Sequence, residues 1–102
     1  KMSEKVSLVA YMQAKPGKEQ ELAEGLMALV GPSRSEAGCI DYHLHRSTED
    51  PQCFMFYENW VAMADLDEHL KMPYLEPLLT RKDELLEGDI KIEFYTMLSA
   101  PG

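Results

Sequence analysis

Apolar and polar residues alternate along 6–14, 39–47, 53–60 and 90–98, and recur at three- and four-residue spacing in two stretches between them. The alternation has the period of a strand and the spacing that of a helix. In VSLVAYMQA, Val6, Leu8, Ala10 and Met12 line one face, while Val9 and Tyr11 make the other partly apolar. A strand with two apolar faces is expected at the centre of a sheet. The KPGK segment at 15–18 is a turn. Residues 19–30 carry Leu22, Leu26, Leu29 and Val30 on one helical stripe, with Ala23 and Met27 beside it. Glu19 and Glu21 suit the positive end of that helix. Gly31 and Pro32 interrupt the pattern, 33–37 is a short continuation or loop, and Gly38 punctuates it.

Along 39–47, Ile40, Tyr42 and Leu44 alternate with Asp41, His43 and His45. A turn containing Asp50-Pro51 leads into a third strand at 53–60, rich in aromatics and ending on Trp60. Residues 61–71 form a short helix with Met63, Leu66 and Leu70 on one side. Pro73 can open another, whose apolar face is Leu75, Leu78, Leu79, Leu85 and Leu86. Pro77 predicts a kink or restart there, and Gly88 a helix end. The order is β-α-β-β-α-β, an α+β, ferredoxin-like antiparallel sheet. Residues 1–102 are expected to form a single domain, with flexible ends at 1–5 and 99–102. In so short a chain the helices cover one face of the sheet. Tyr11, Tyr57, Phe94 and Tyr95 therefore predict a homodimer packed sheet to sheet.

The charge narrows the partners. Eighteen acidic residues against ten basic ones give −8. That disfavours nucleic acid and anionic membrane surfaces, which need clustered Lys and Arg. No apolar run approaches the ~20 residues that span a bilayer, and no apolar leader opens the chain. Cys39 and Cys53 fall too far out of register in the predicted hairpin to bridge. These readings predict a reduced, cytoplasmic protein whose thiols are packing residues.

Four segments, AKPGKEQEL, GCIDYHLH, DPQCFMFYENW and LDEHLKMPYL, stand in an order and spacing that covers nearly the whole chain. In them the chain resembles the antibiotic biosynthesis monooxygenase family, which includes quinol monooxygenases. The resemblance implies a dimeric α/β barrel and a pocket between sheet and helices. It also implies chemistry with dioxygen as co-substrate and no metal or flavin. Trp60 and His69 match positions that commonly line the pocket. An electron-rich phenol, once deprotonated, can itself pass an electron to dioxygen, so the protein need supply only a base, a polar hold and a dry cavity. His69 is the candidate base, since a free imidazole titrates near about 6.5. Trp60 offers a flat wall and an indole N–H. Glu58 shares the face of Trp60, and Tyr42 can reach the pocket, so both are candidate substrate contacts. Asn59 points the other way, toward the dimer side. Arg34 is placed at the pocket mouth, where it could hold an anionic or quinone oxygen.

Two departures bear on mechanism. The haem-degrading branch carries an Asn in its first strand; this chain has none, and its nearest polar candidates there are Tyr11 and Gln13. Tyr74 stands where many members carry a second His. Asp41, His43 and His45 have the composition of a facial iron triad. Successive same-face residues on a strand lie about 6.6 Å apart, however, and three in line do not converge on one ion. No metal is therefore expected. The function predicted is oxidation of a small phenolic or quinol-type substrate by dioxygen without a cofactor. The alternatives are a non-catalytic small-molecule-binding dimer and a small isomerase or signal-processing enzyme using the same pocket.

Overall fold

The computed structural model describes residues 5–99. The expected flexible ends lie outside these residues apart from Lys5 and Ser99. Four strands, β1 (Val6–Gln13), β2 (Cys39–Arg46), β3 (Cys53–Trp60) and β4 (Lys91–Tyr95), form one antiparallel sheet in the order β2-β3-β1-β4. The helices α1 (Glu19–Met27), α2 (Val30–Arg34), α3 (Met63–His69), α4 (Glu76–Thr80) and α5 (Lys82–Leu85) complete the expected α+β, ferredoxin-like arrangement. β1 lies between β3 and β4, as its two apolar faces require.

One face of the sheet makes the core. Leu8, Ala10 and Met12 of β1 and Phe54, Phe56 and Trp60 of β3 are buried against Leu22, Leu26, Leu29, Leu66, Leu75, Leu78 and Leu85. The opposite face carries Val9, Tyr11, Tyr57 and Tyr95 without a helix over it. Phe94 is a correction to the expected second face. It pairs with Leu8 and so lies on the helix side, yet is 55% exposed because the helices stop short of the edge strand β4.

Several boundaries depart from the sequence pattern, and β4 runs only over Lys91–Tyr95 rather than the expected 90–98. The first helix ends at Met27, and the chain re-enters helix as α2 through Gly31-Pro32. Pro32 falls in the first turn, where a backbone N–H would have no helical partner anyway. Pro77 likewise sits in the first turn of α4, behind a 3₁₀ turn at Pro73–Leu75, so the expected restart occurs one turn downstream of Pro73. The last helix stops at Leu85, because Leu86 bridges to Ala14, and Gly88 (φ 79°) then reverses the chain into β4.

A bulge shapes the start of β2. Cys39 pairs with Trp60 and Asp41 with the adjacent Asn59, leaving Ile40 as the extra residue. Cys39 thus takes the core-side place expected of Ile40, which is exposed. Tyr42 and Leu44 keep their inward faces. Next to the bulge, Gly38 accepts the Val61 N–H at 2.9 Å and lies flat against Asp65. A Cβ there would meet Asp65 Cγ at 2.1 Å and its Cβ at 2.4 Å. The close approach seats α3 on the end of the hairpin.

Candidate active site

α3 ends on His69, whose side chain is buried between sheet and helices. Its ring lies 4.6 Å from Trp60 and meets the Tyr42 ring edge-on at 5.4 Å, centroid to centroid. Tyr42 in turn packs on Phe56 at 4.5 Å. The His69, Tyr42 and Phe56 rings wall off one end of a cavity of about 130 Å³. Met12, Leu26, Leu29, Leu75, Leu78, Leu79 and Ile92 line much of the remainder. The lining groups able to hydrogen-bond through their side chains are His69, Glu58 and Tyr42, and every other lining residue is apolar.

The imidazole is held from behind. Nδ1 lies 2.9 Å from Glu36 Oε2 and 3.2 Å from the Tyr74 hydroxyl. Tyr74 also donates to Glu36 and sits 3.1 Å from the Ser33 hydroxyl, which is fully buried. Burial, followed by the Glu36 hydrogen bond, pushes the Tyr74 phenol up to about 12. Nε2 makes no hydrogen bond among the described residues, yet no buried side-chain nitrogen or oxygen there lacks a partner. Nε2 is therefore the ring atom left accessible.

Glu58 accepts the indole N–H of Trp60 at 2.9 Å. Burial pushes its carboxyl above the ordinary carboxylate value, and that hydrogen bond and the nearby His69 only partly oppose the effect. The Tyr42 phenol is also raised, first by burial and then by Glu58. Burial takes the Cys39 thiol up to about 11, so it remains a thiol at neutral pH.

The structure brings His69, Glu58 and Tyr42 to one cavity and leaves three expected site residues elsewhere. Trp60 is fully buried and does not line the cavity; its N–H is spent on Glu58, so it backs His69 rather than meeting a ligand. Tyr11 stands on the opposite face of the sheet, beside Cys53 and Lys91, because its register on β1 is one residue out of phase with Ala10 and Met12. Gln13 shares that face. Arg34 is exposed and turned to the sheet edge, where its Nε donates to the Tyr42 carbonyl at 3.0 Å and a terminal nitrogen meets His43 Nδ1 at 2.9 Å. An edge strand's free carbonyl is a standing acceptor, and Arg34 occupies it.

Asp41, His43 and His45 lie in line on the open face of β2, with Asp41 accepting from Asn59 at 3.0 Å and standing 3.7 Å from His43 Nε2. Among the described residues no group of three His, Cys, Asp or Glu side chains is gathered to hold a metal. Asn59 faces away from Trp60 as expected, fully buried and bonded to Ser7 and Asp41. Among the described residues no helix is long and apolar enough to cross a membrane.

Glu36 and Ser33 gave no signal in the sequence. They lie in and just after a five-residue helix without periodicity, more than thirty residues from His69. Tyr74 was visible only as a departure from the second His. Asp65, one helical turn before His69, packs against Gly38.

Known proteins share this architecture. The chain is 34% identical to PA3566 of Pseudomonas aeruginosa, whose crystal structure superposes with a TM-score of 0.90 over 97% of this chain and 99% of that one. It is 30% identical over 88% of its length to the uncharacterized protein sll1783 of Synechocystis, and spans 61% of that longer relative. A Bacillus subtilis protein named "Putative monooxygenase YcnE" is 26% identical over 85% of this chain and 92% of its own length. Residues 5–76 match the family model described as antibiotic biosynthesis monooxygenase, and the chain belongs to that family.

Proposed function

We propose that the protein is a cofactor-independent monooxygenase that oxidises a single-ring quinol or phenol with dioxygen. The observation that carries the reading is one accessible imidazole nitrogen on the wall of a cavity whose other hydrogen-bonding side chains are Glu58 and Tyr42 and whose remaining lining is apolar. A phenol seated there gives its proton to His69 Nε2. The phenolate then gives an electron to dioxygen, and the apolar walls limit competing proton transfer from water. Glu58 and Tyr42 are the polar groups available to orient the substrate oxygens. Size supports a single ring: a dry cavity of about 150 Å³ holds benzene, and this one is about 130 Å³.

The reading includes a homodimer through the open sheet face, supported by Tyr11 and Tyr95 at 39% and 51% exposure. The test is oxygen uptake by the metal-free protein with hydroquinones and anthronols side by side. Uptake above autoxidation with hydroquinones, falling about 10²–10⁴-fold in His69→Ala, is expected for loss of a general base. Absence of uptake with every quinol would overturn the oxygenase reading, and unchanged uptake in a folded His69→Ala would remove His69 as the base.

A further inference from the structure

We infer that Glu36 is a positioning residue that fixes the His69 tautomer, placing the proton on Nδ1 and the lone pair on Nε2 toward the cavity. The role assigned to that lone pair rests on the monooxygenase reading; the tautomer itself does not.

The inference follows from counting protons. Tyr74 has one hydroxyl proton, and it is donated to Glu36. The Ser33 hydroxyl, 3.1 Å from the Tyr74 oxygen, must then be the donor of that pair. An ionised carboxylate only accepts. The remaining contact on Glu36 Oε2, His69 Nδ1 at 2.9 Å, is thus an N–H donating to it. The Tyr74 oxygen at 3.2 Å is a second acceptor for the same proton. Every hydrogen in the chain Ser33–Tyr74–Glu36 runs toward the carboxylate, and His69 closes it from the other side. A neutral imidazole has one proton, so Nε2 carries the lone pair.

The arrangement has the logic of a carboxylate behind a catalytic histidine, where the acid holds the ring in the correct tautomer without itself taking the proton. The four residues, Ser33, Glu36, Tyr74 and His69, come from α2, the loop after it, the 3₁₀ turn and the end of α3, so the device depends on the tertiary fold. Glu58, the other carboxyl near the ring, is bonded to Trp60 and lies among the cavity residues. The two acids thus have separate tasks.

The test is the ¹⁵N spectrum of the His69 ring in intact protein, at a pH where the imidazole is neutral. Parent protein is expected to show protonated Nδ1 and bare Nε2. Glu36→Gln presents an amide that can donate to Nδ1 and is expected to move the proton to Nε2, wholly or in part. Glu36→Asp, which keeps a carboxylate, should retain the parent tautomer, as should Tyr74→Phe, which leaves the acceptor in place. Turnover in Glu36→Gln should fall about 10²-fold or more in kcat with little change in KM. A parent ring bare at Nδ1, or the same tautomer in parent and Glu36→Gln, would overturn the inference. If no quinol is turned over, the spectrum still decides the tautomer, and the failure belongs to the monooxygenase reading alone.

Discussion

At the scale of single residues, the cavity places a carboxyl where water would normally be. Glu58 is 5% exposed, and burial raises it above the ordinary carboxylate value. The folded protein therefore binds its proton more tightly than the unfolded chain does. Stability from this group is fully present below the unfolded value and is lost as pH rises through the folded one. Glu58→Gln keeps an oxygen for the Trp60 N–H and removes the buried charge. Its melting temperature is expected to exceed the parent's at pH 8 and to converge on it near pH 4, by calorimetry at both pH values. A gap that is constant with pH would show that the carboxyl is not what titrates. Glu58 and Tyr42 were legible in the sequence because strand periodicity put them on inward faces, whereas His69 came from the resemblance to the family. The same rule puts Tyr11 on the opposite face, where it lies, and so excludes it from the cavity despite its polar hydroxyl. Trp60 was correctly read as facing inward, but its N–H was not free, and no spacing in a sequence reveals which neighbour takes a donor.

At the scale of elements, the site depends on how α3 is seated. α3 lacks a side-chain cap at Ala62 and is only seven residues long, too short to hold itself together. Tertiary contact holds it, including the flat meeting of Gly38 with Asp65. Gly38→Ala places a methyl inside Asp65, so α3 must lift. A loss of about 1–3 kcal/mol is expected for such overpacking, measured by urea unfolding, with a rise in KM because His69 rides on the same helix. Equal stability in Gly38→Ala would show that α3 yields freely. All four strands were legible from their period of two, although β1 carries apolar residues on both faces, and the short segments failed where the period is too brief to count. α2 was half concealed by Gly31-Pro32, and the bulge at Ile40 cannot be seen in the alternation, since it is an interruption of pairing rather than of pattern. Glu36 lies between those two irregularities.

At the scale of the whole molecule, the sheet has one finished face and one unfinished face. Tyr11 and Tyr95 present apolar rings on the open side, over the buried Ser7–Asn59–Asp41 hydrogen bonds. A negative charge placed among those rings would have to be buried in the proposed dimer, at a cost of several kcal/mol. Tyr57→Asp is therefore expected to sediment as a monomer at concentrations where the parent is a dimer; a Tyr57→Asp dimer of parent affinity would place the interface elsewhere. Charge also acts at this scale: a net charge of −8 repels like molecules in solution, and the proposed dimer contact would have to overcome it. The geometry around Trp60 has an optical consequence for the molecule as a whole. It is the only tryptophan in the chain, so all indole emission comes from one ring tilted against His69 at 4.6 Å between centroids. The fluorescence of the unlabelled protein therefore reports on the packing at His69 itself, readable without a substrate, and a change in how α3 is seated would show in that one signal.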